Sequence, residues 1–242
     1  MPPRARKPVG VVLVDKPAGS SSFACVADLR RRTGARTGHT GTLDPFATGL
    51  LVLLSGGATR LAPCFVGLDK RYVTEIDLTS TTSTGDPEGE VLSEHVPPAR
   101  SDLEQALARL RGEVELRIPA ASAVKIEGER AYRLARRGVA VEMPLRRSMV
   151  FGIDVLEYTG GTVCLGLHVG SGTYVRSIAE AVGGHCVSLR RSAVGPFTVE
   201  EASPERWLGV DEALARLPAE AVAKVPAGIR RGVVELETER AR

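Results

Sequence analysis

Apolar residues recur along this chain at two spacings, and the changes of spacing mark its elements. Val9 to Val14 is a continuous, largely β-branched run and predicts a buried strand. Lys16-Pro17-Ala18-Gly19 turns the chain, and Ser20, Ser21 and Ser22 offer N-caps to a helix carrying Phe23, Val26, Ala27 and Leu29. Thr33 to Thr48, rich in Gly and Thr, predicts a structured loop, after which Leu50 to Leu54 is apolar again. Arg71 to Leu78 alternates, placing Tyr72, Thr74, Ile76 and Leu78 on one face of a strand, with a polar loop following from Thr79 to Gly89. Ser101-Asp102-Leu103-Glu104 reads as a capping box before a helix that carries Leu103, Ala106, Leu107 and Leu110 and ends at Gly112.

Glu129 to Arg137 predicts a second, short and strongly basic helix. Met149 to Tyr158 and Thr162 to Val169, split by Gly160-Gly161, predict a hairpin. Tyr174 to Val182 begins as a strand end or turn and becomes a helix, and Val187 to Phe197 returns to strand. Trp207 to Leu217 predicts a short helix, and Arg230 to Leu236 a strand. Strands and helices mix without a steady βαβ rhythm, which predicts an α+β fold.

Composition narrows the function classes. The chain has 242 residues, 43% hydrophobic and 25% charged, enough to bury a core without staples. Its ten aromatic residues are few for a protein that grips bases along an aromatic sheet. No apolar run is long enough for a membrane span, and Val9 to Val14 is too short for a secretory signal. Cys25, Cys64, Cys164 and Cys186 form no C-x-x-C pair, and His39, His95, His168 and His185 show no metal-ligand spacing. Reduced thiols without a targeting segment predict a cytoplasmic protein, with no metal and no cofactor.

The net charge of +3 hides a segregation. Glu75 to Glu104 holds eight acids and one base, and Lys125 to Arg147 seven bases and three acids. Arg30, Arg31, Arg32 and Arg36 fall in a stretch without acids. Clustered bases on a nearly neutral chain point to a polyanion, and the two clusters together favour nucleic acid over a solvated helix face.

The most informative stretch is Gly38-His39-Thr40-Gly41-Thr42-Leu43-Asp44-Pro45-Phe46-Ala47-Thr48-Gly49-Leu50-Leu51. Three glycines and several threonines around one carboxylate make a backbone that is costly to order. Such a loop presents one side chain in a fixed pose. Composition alone would leave Asp44-Pro45 as an ordinary turn.

The stretch resembles the signature of the tRNA pseudouridine synthase B (TruB) family, G-H-T-G-T-L-D-P-x-A-T-G-x-L, at every fixed position. Asp15 to Ser22 resembles the family's D-K-P-x-G-x-T-S, with Ser21 for Thr, and Lys70-Arg71-Tyr72 its K-x-Y. Leu78 to Asp86 is similar to L-G-x-x-T-x-T-x-D, with Thr79 in place of Gly. Ser122 to Lys125 with Gly128 to Arg136 resembles S-A-x-K and G-x-R-x-Y-x-L-A-R. Gly172 to Arg176 resembles G-T-Y-[IV]-R, and Leu189-Arg190-Arg191 with Val194 to Phe197 completes the set.

The resemblance implies a pseudouridine-synthase fold with a mixed, largely antiparallel central sheet flanked by helices. It implies isomerisation of uridine to pseudouridine at position 55 in the T loop of tRNA. Asp44 would be the carboxylate that attacks the nucleotide or stabilises positive charge on it. Arg176 would keep Asp44 ionised. If Gly172 to Ser177 were extended, Tyr174 and Arg176 would share one side. Tyr72 would pack against the target base and help remove the C5 proton. Leu189 would line the uracil pocket, and His39 would hold the flipped nucleotide. Lys16 would be a support or a phosphate contact. Lys125, Arg130, Arg133, Arg136 and Arg137 would contact the RNA backbone from a thumb spanning about 125–147.

The expected organisation is a catalytic domain over 1–200 and a short C-terminal extension over 201–242, a truncated or absent PUA-type domain. The expected partner is the T arm of tRNA, bound by a monomer with no membrane association. Two alternatives stand beside this reading. One is a tRNA-binding or tRNA-folding protein with secondary catalysis. The other is a pseudouridine synthase acting on a different RNA.

Overall fold

The computed structural model describes residues 8–126, 128–137, 139 and 141–241, with backbone only for 135, 136 and 236–241. In chain order the elements are β1 (Gly10–Lys16), α1 (Ser22–Thr33), β2 (Thr37–His39), β3 (Thr48–Ser55), α2 (Ala62–Val66), β4 (Lys70–Asp77), β5 (Ser80–Thr82), β6 (Val91–Glu94), α3 (Arg100–Arg109) and β7 (Gly112–Arg117). There follow β8 (Lys125–Ile126), β9 (Glu129–Arg130), α4 (Ala131–Arg136), β10 (Leu145–Tyr158), β11 (Thr162–Val169), α5 (Val175–Ala181) and β12 (His185–Val194). The chain ends through β13 (Phe197–Thr198), β14 (Trp207–Leu208), α6 (Val210–Ala215), α7 (Ala219–Val222) and α8 (Ala227–Ala241). It divides into two compact units, residues 1–70 with 190–242, and residues 71–189. The mixed strands and helices are the α+β class that the spacing predicts.

In the first unit β1 lies antiparallel between β14 and β3, and β2 runs antiparallel along β3. The end of β12 pairs parallel with β3, at Arg190 with Thr48 and Arg191 with Gly49. Leu50 to Leu54 is apolar at every position because both faces of β3 are covered. Leu50, Val52 and Leu54 join Val11 and Leu13 in the main core, whereas Leu51 and Leu53 join Val12, Val26 and Leu29 beneath α1. That helix starts where Ser21 accepts a hydrogen bond from the Ala24 amide at 3.1 Å, and it stops at Gly34, in the left-handed conformation.

The segment beyond residue 200 packs into this same core through Leu208, Val210, Ala213, Leu217, Ala221, Val225 and Val233. The strand expected at Arg230 to Leu236 is instead part of α8. Pro226 heads that helix, its carbonyl accepting from the Ile229 and Arg230 amides at 3.0 and 3.1 Å, and proline with its fixed φ favours a helix start. The helix expected from Trp207 begins only at Val210, since Trp207 and Leu208 pair with β1.

In the second unit β10 pairs antiparallel with β11 on one side and β7 on the other. Next to β11 comes β4, and then the first half of β12. Tyr72, Thr74, Ile76 and Leu78 are buried as the alternation predicts, at 9, 0, 0 and 0% exposure. The Thr79 to Gly89 loop contains β5, which pairs with β6 as a small hairpin. No side chain caps α3: it begins at Arg100, with the Asp102 and Leu103 amides donating to the Ala99 carbonyl, both at 3.0 Å. Glu104, expected to complete a capping box, instead pairs with Arg100 at 2.9 Å.

Candidate functional site

In the first unit Asp44 sits in the loop between β2 and β3, half-buried. The Ala47 amide donates to the Asp44 carbonyl at 3.2 Å, a turn with Pro45 at its second position, where a fixed φ suits the geometry. Ser22, the first residue of α1, grips the residue before it: its hydroxyl accepts from the Leu43 amide at 2.8 Å and donates to the Leu43 carbonyl at 3.0 Å. Lys16, fully buried, donates from Nζ to the carbonyls of Pro17 at 3.0 Å, Ser20 at 2.6 Å and Pro45 at 3.1 Å. These bonds are the support expected of Lys16.

His39 ends β2 half-buried, and its Nδ1 is buried without a hydrogen-bond partner. Burial, and then the nearby positive charge of Arg191, lower its pKa below the usual 6.5, so the imidazole is neutral at pH 7. Lys70, at the start of β4, donates to the carbonyls of Val66 at 2.9 Å and Leu68 at 2.5 Å. Burial, followed by Arg191, lowers its pKa to about 8.

In the second unit Tyr174 caps α5 in an extended conformation, and Arg176 lies in the helix's first turn. The extended run to Ser177 that would put both side chains on one side is therefore absent. Arg176 is 2% exposed. Its Nη1 stands 3.3 Å from Asp86 Oδ2 and donates to the Thr84 carbonyl at 2.7 Å, and its Nη2 donates to the Ala121 carbonyl at 3.0 Å. Asp86 in turn accepts from the Thr84 hydroxyl at 2.5 Å and the Glu88 amide at 3.0 Å through Oδ1. Sequence reasoning missed this carboxylate. It stood in the T-x-T-x-D stretch without a role, and its signal was an acid in a Gly-rich turn, which only burial makes a partner for Arg176.

Tyr72 is buried on β4. Leu189, also buried, follows Ser188, whose carbonyl accepts from Thr74 at 2.7 Å. Ala131 and Met143 of the expected thumb form a small apolar cluster with Ile118, against which Tyr174 packs. Its basic residues divide by their partners. Arg137 pairs with Glu129 at 2.9 Å, and Arg130 donates to the Ala123 carbonyl. Arg133 is exposed, with its guanidinium 5.9 Å from the Tyr132 ring, and Lys125 is exposed. The side chain of Arg136 lies outside the described residues. The basic stretch on α1 is spent locally. Arg30 donates to the Thr37 carbonyl at 2.6 Å, and both Arg31 and Arg32 face Asp28, at 3.0 and 3.3 Å.

A family model described as TruB family pseudouridylate synthase (N-terminal domain) matches residues 30–175. The tRNA pseudouridine synthase B of Corynebacterium jeikeium is 41% identical over 233 residues, which cover 86% of this chain and 76% of that protein. The protein of the same name from a Synechococcus species is 44% identical over 208 residues, covering 81% and 69%. Among solved structures, a chain of a Cbf5–Nop10–Gar1 complex is 30% identical with a TM-score of 0.60. That match covers 82% of this chain and 52% of the other, so this chain spans about half the length of that solved relative.

Proposed function

Because the chain belongs to the TruB family of pseudouridylate synthases, we propose that it isomerises uridine to pseudouridine in tRNA, at position 55 of the T loop. The observation that carries this reading is the loop around Asp44. Buried groups, Lys16 and Ser22, hold its backbone on either side of one half-exposed carboxylate. A rigid frame around a single reactive group is what positioned catalysis needs.

The reaction breaks the bond from N1 to C1′, turns the uracil over and joins C5 to C1′. The C5 proton leaves and N1 gains one, so nothing is oxidised and no fragment departs. In this reading the target nucleotide is flipped out of the T loop, with His39 at the mouth of the site. A neutral imidazole stacks and hydrogen-bonds without adding charge. Asp44 attacks the nucleotide or stabilises its positive charge, and Arg176 keeps it ionised. Tyr72 and Tyr174 flank the base, Tyr72 serving the final proton transfer, and Leu189 packs on the uracil. The exposed Lys125 and Arg133 touch phosphates from the thumb together with Arg130, Arg136 and Arg137, which gives salt-dependent affinity.

The test is Asp44→Asn on T-arm RNA. Wild-type protein forms pseudouridine, and the variant binds the RNA but forms none. Full product from the variant removes Asp44 from the mechanism. Mapping pseudouridine in a strain lacking the protein decides the target. Loss at position 55 supports the reading, and loss elsewhere with position 55 intact overturns it.

A further inference from the structure

Arg191 is among the largest side chains hidden inside the first unit, only 2% exposed. A buried guanidinium is tolerated only when its donors are satisfied. Its Nε donates to the Leu50 carbonyl at 2.7 Å, Nη1 to Thr42 at 3.3 Å and Nη2 to Gly41 at 3.0 Å. Gly41 and Thr42 lie just before Asp44, and Leu50 lies beyond it. One planar fork thus ties together the two legs of the loop that presents the carboxylate.

The loop's glycines answer to the same residue. At Gly49, whose φ is +103°, an added Cβ would stand 2.3 Å from the Arg191 carbonyl oxygen and 2.7 Å from its nitrogen. At Gly41 a Cβ would meet Arg191 Nη1 at 3.6 Å and Lys70 Cε at 4.0 Å. Glycine at 49 lets β3 close on the Arg191 backbone, while at 41 a Cβ would be in ordinary contact with the fork and only a larger side chain would crowd it. A lysine would bring one ammonium to a single point, whereas the planar guanidinium spreads its donors over carbonyls on both legs of the loop.

We propose that Arg191 is the positioning residue of the Asp44 loop, fixing the Gly41 to Leu50 segment so that the carboxylate is presented in one pose. Its part in catalysis rests on the reading of Asp44 given above, but the anchoring stands apart from that reading. The positive charge of Arg191 helps to lower the His39 pKa, so His39 reports on that charge.

The experiment compares full-length wild type, Arg191→Lys, Arg191→Met and Gly41→Val. The readouts are kcat and KM on T-arm RNA, amide hydrogen exchange across 40–50, and the His39 titration by NMR. In folded Arg191→Lys, kcat falls about ten- to hundredfold while KM stays within about threefold, as expected when a reacting group loses its pose. The Thr40 and Ala47 amides exchange faster, and those of β1 do not. Arg191→Met moves the His39 midpoint up towards 6.5, and Arg191→Lys does not. Gly41→Val, which crowds the fork but keeps the arginine, repeats the kcat loss and keeps the proposal testable if Arg191→Met does not fold. Wild-type kcat and slow loop exchange in Arg191→Lys and Gly41→Val overturn the proposal. So does a loss confined to KM, or one that follows only the folded fraction. If wild type itself forms no pseudouridine, the functional reading fails, while exchange and the His39 titration still decide the anchoring.

Discussion

Arg176 and Asp86 form an ion pair buried on both sides, Nη1 to Oδ2 at 3.3 Å, with side-chain exposures of 2 and 5%. Neither charge reaches water, and each carries further hydrogen bonds: Arg176 to two carbonyls, Asp86 to a hydroxyl and an amide. The pair fixes where the guanidinium stands. Gly85, at φ +69° in the same turn, lets the backbone pass close to the start of the Arg176 side chain, since a Cβ there would meet Arg176 Cβ at 3.3 Å.

Removing the acid leaves a buried cation with less compensation. Asp86→Ala is expected to destabilise the protein by about 3 kcal/mol, in the range for breaking a buried pair. Asp86→Asn, which retains the shape and one acceptor, costs less. Denaturant unfolding of both variants checks the order. Equal stabilities would show that the pair contributes little beyond the carbonyl bonds.

Lys70 makes stability depend on pH on the alkaline side. Its folded pKa of about 8 lies below the ordinary 10.5, so folding disfavours the charged form. Between those values the unfolded chain holds a proton that the folded chain has lost, and stability rises with pH across that window. Below pH 8 both states are protonated and the full cost is present. The gain across the window is on the order of 3 kcal/mol at most. The difference in unfolding free energy between wild type and Lys70→Met, measured from pH 7 to 10.5, carries this slope, and a flat difference would refute it.

Two loop glycines should respond differently to alanine. Gly49→Ala places a methyl 2.3 Å from a backbone oxygen at a φ of +103°, so a marked loss of melting temperature or of soluble protein is expected. Gly19, at φ +75° with open space around it, tolerates the methyl and costs only about 1–2 kcal/mol of left-handed strain. Thermal unfolding followed by circular dichroism distinguishes them, and similar losses would contradict the close approach of β3 and β12.

The thumb bases should differ in their effect on RNA affinity. Lys125 and Arg133 are exposed, while Arg137 already faces Glu129. Replacing Lys125 and Arg133 with alanine is expected to weaken T-arm binding and to lower the salt slope by about one for each phosphate left without its cation. Arg137→Ala changes the slope less. Neutralising Arg133, Arg136 and Arg137 together flattens it further. Binding measured over a salt series tests this, and unchanged slopes would remove the thumb from the interface.

Local pattern in the sequence determined much of this protein. The alternation at Tyr72, Thr74, Ile76 and Leu78 announced a half-buried strand, because side chains on a strand alternate between faces whatever lies beyond. Ser20, Ser21 and Ser22 announced a helix start and the split at Gly160-Gly161 a hairpin, since caps and turns are satisfied within a few residues. The loop around Asp44 was legible as a turn for the same reason, its glycines and its proline acting on the backbone where they stand, but the role of its carboxylate came only from the family resemblance. What the sequence left open were the destinations of long polar side chains and the partners of distant segments. Arg30 and Arg191 sit in similar basic clusters, yet one bonds a neighbouring carbonyl near the surface and the other is buried among three carbonyls of a remote loop. Val233 and Val234 suit a strand by propensity, but packing on the first unit's core makes them helical. Asp86 became a partner of Arg176 only once the chain had folded, because the two residues are far apart in sequence. Hydrogen bonds and charges act over a few ångströms in space, and only tertiary structure decides which residues come that close.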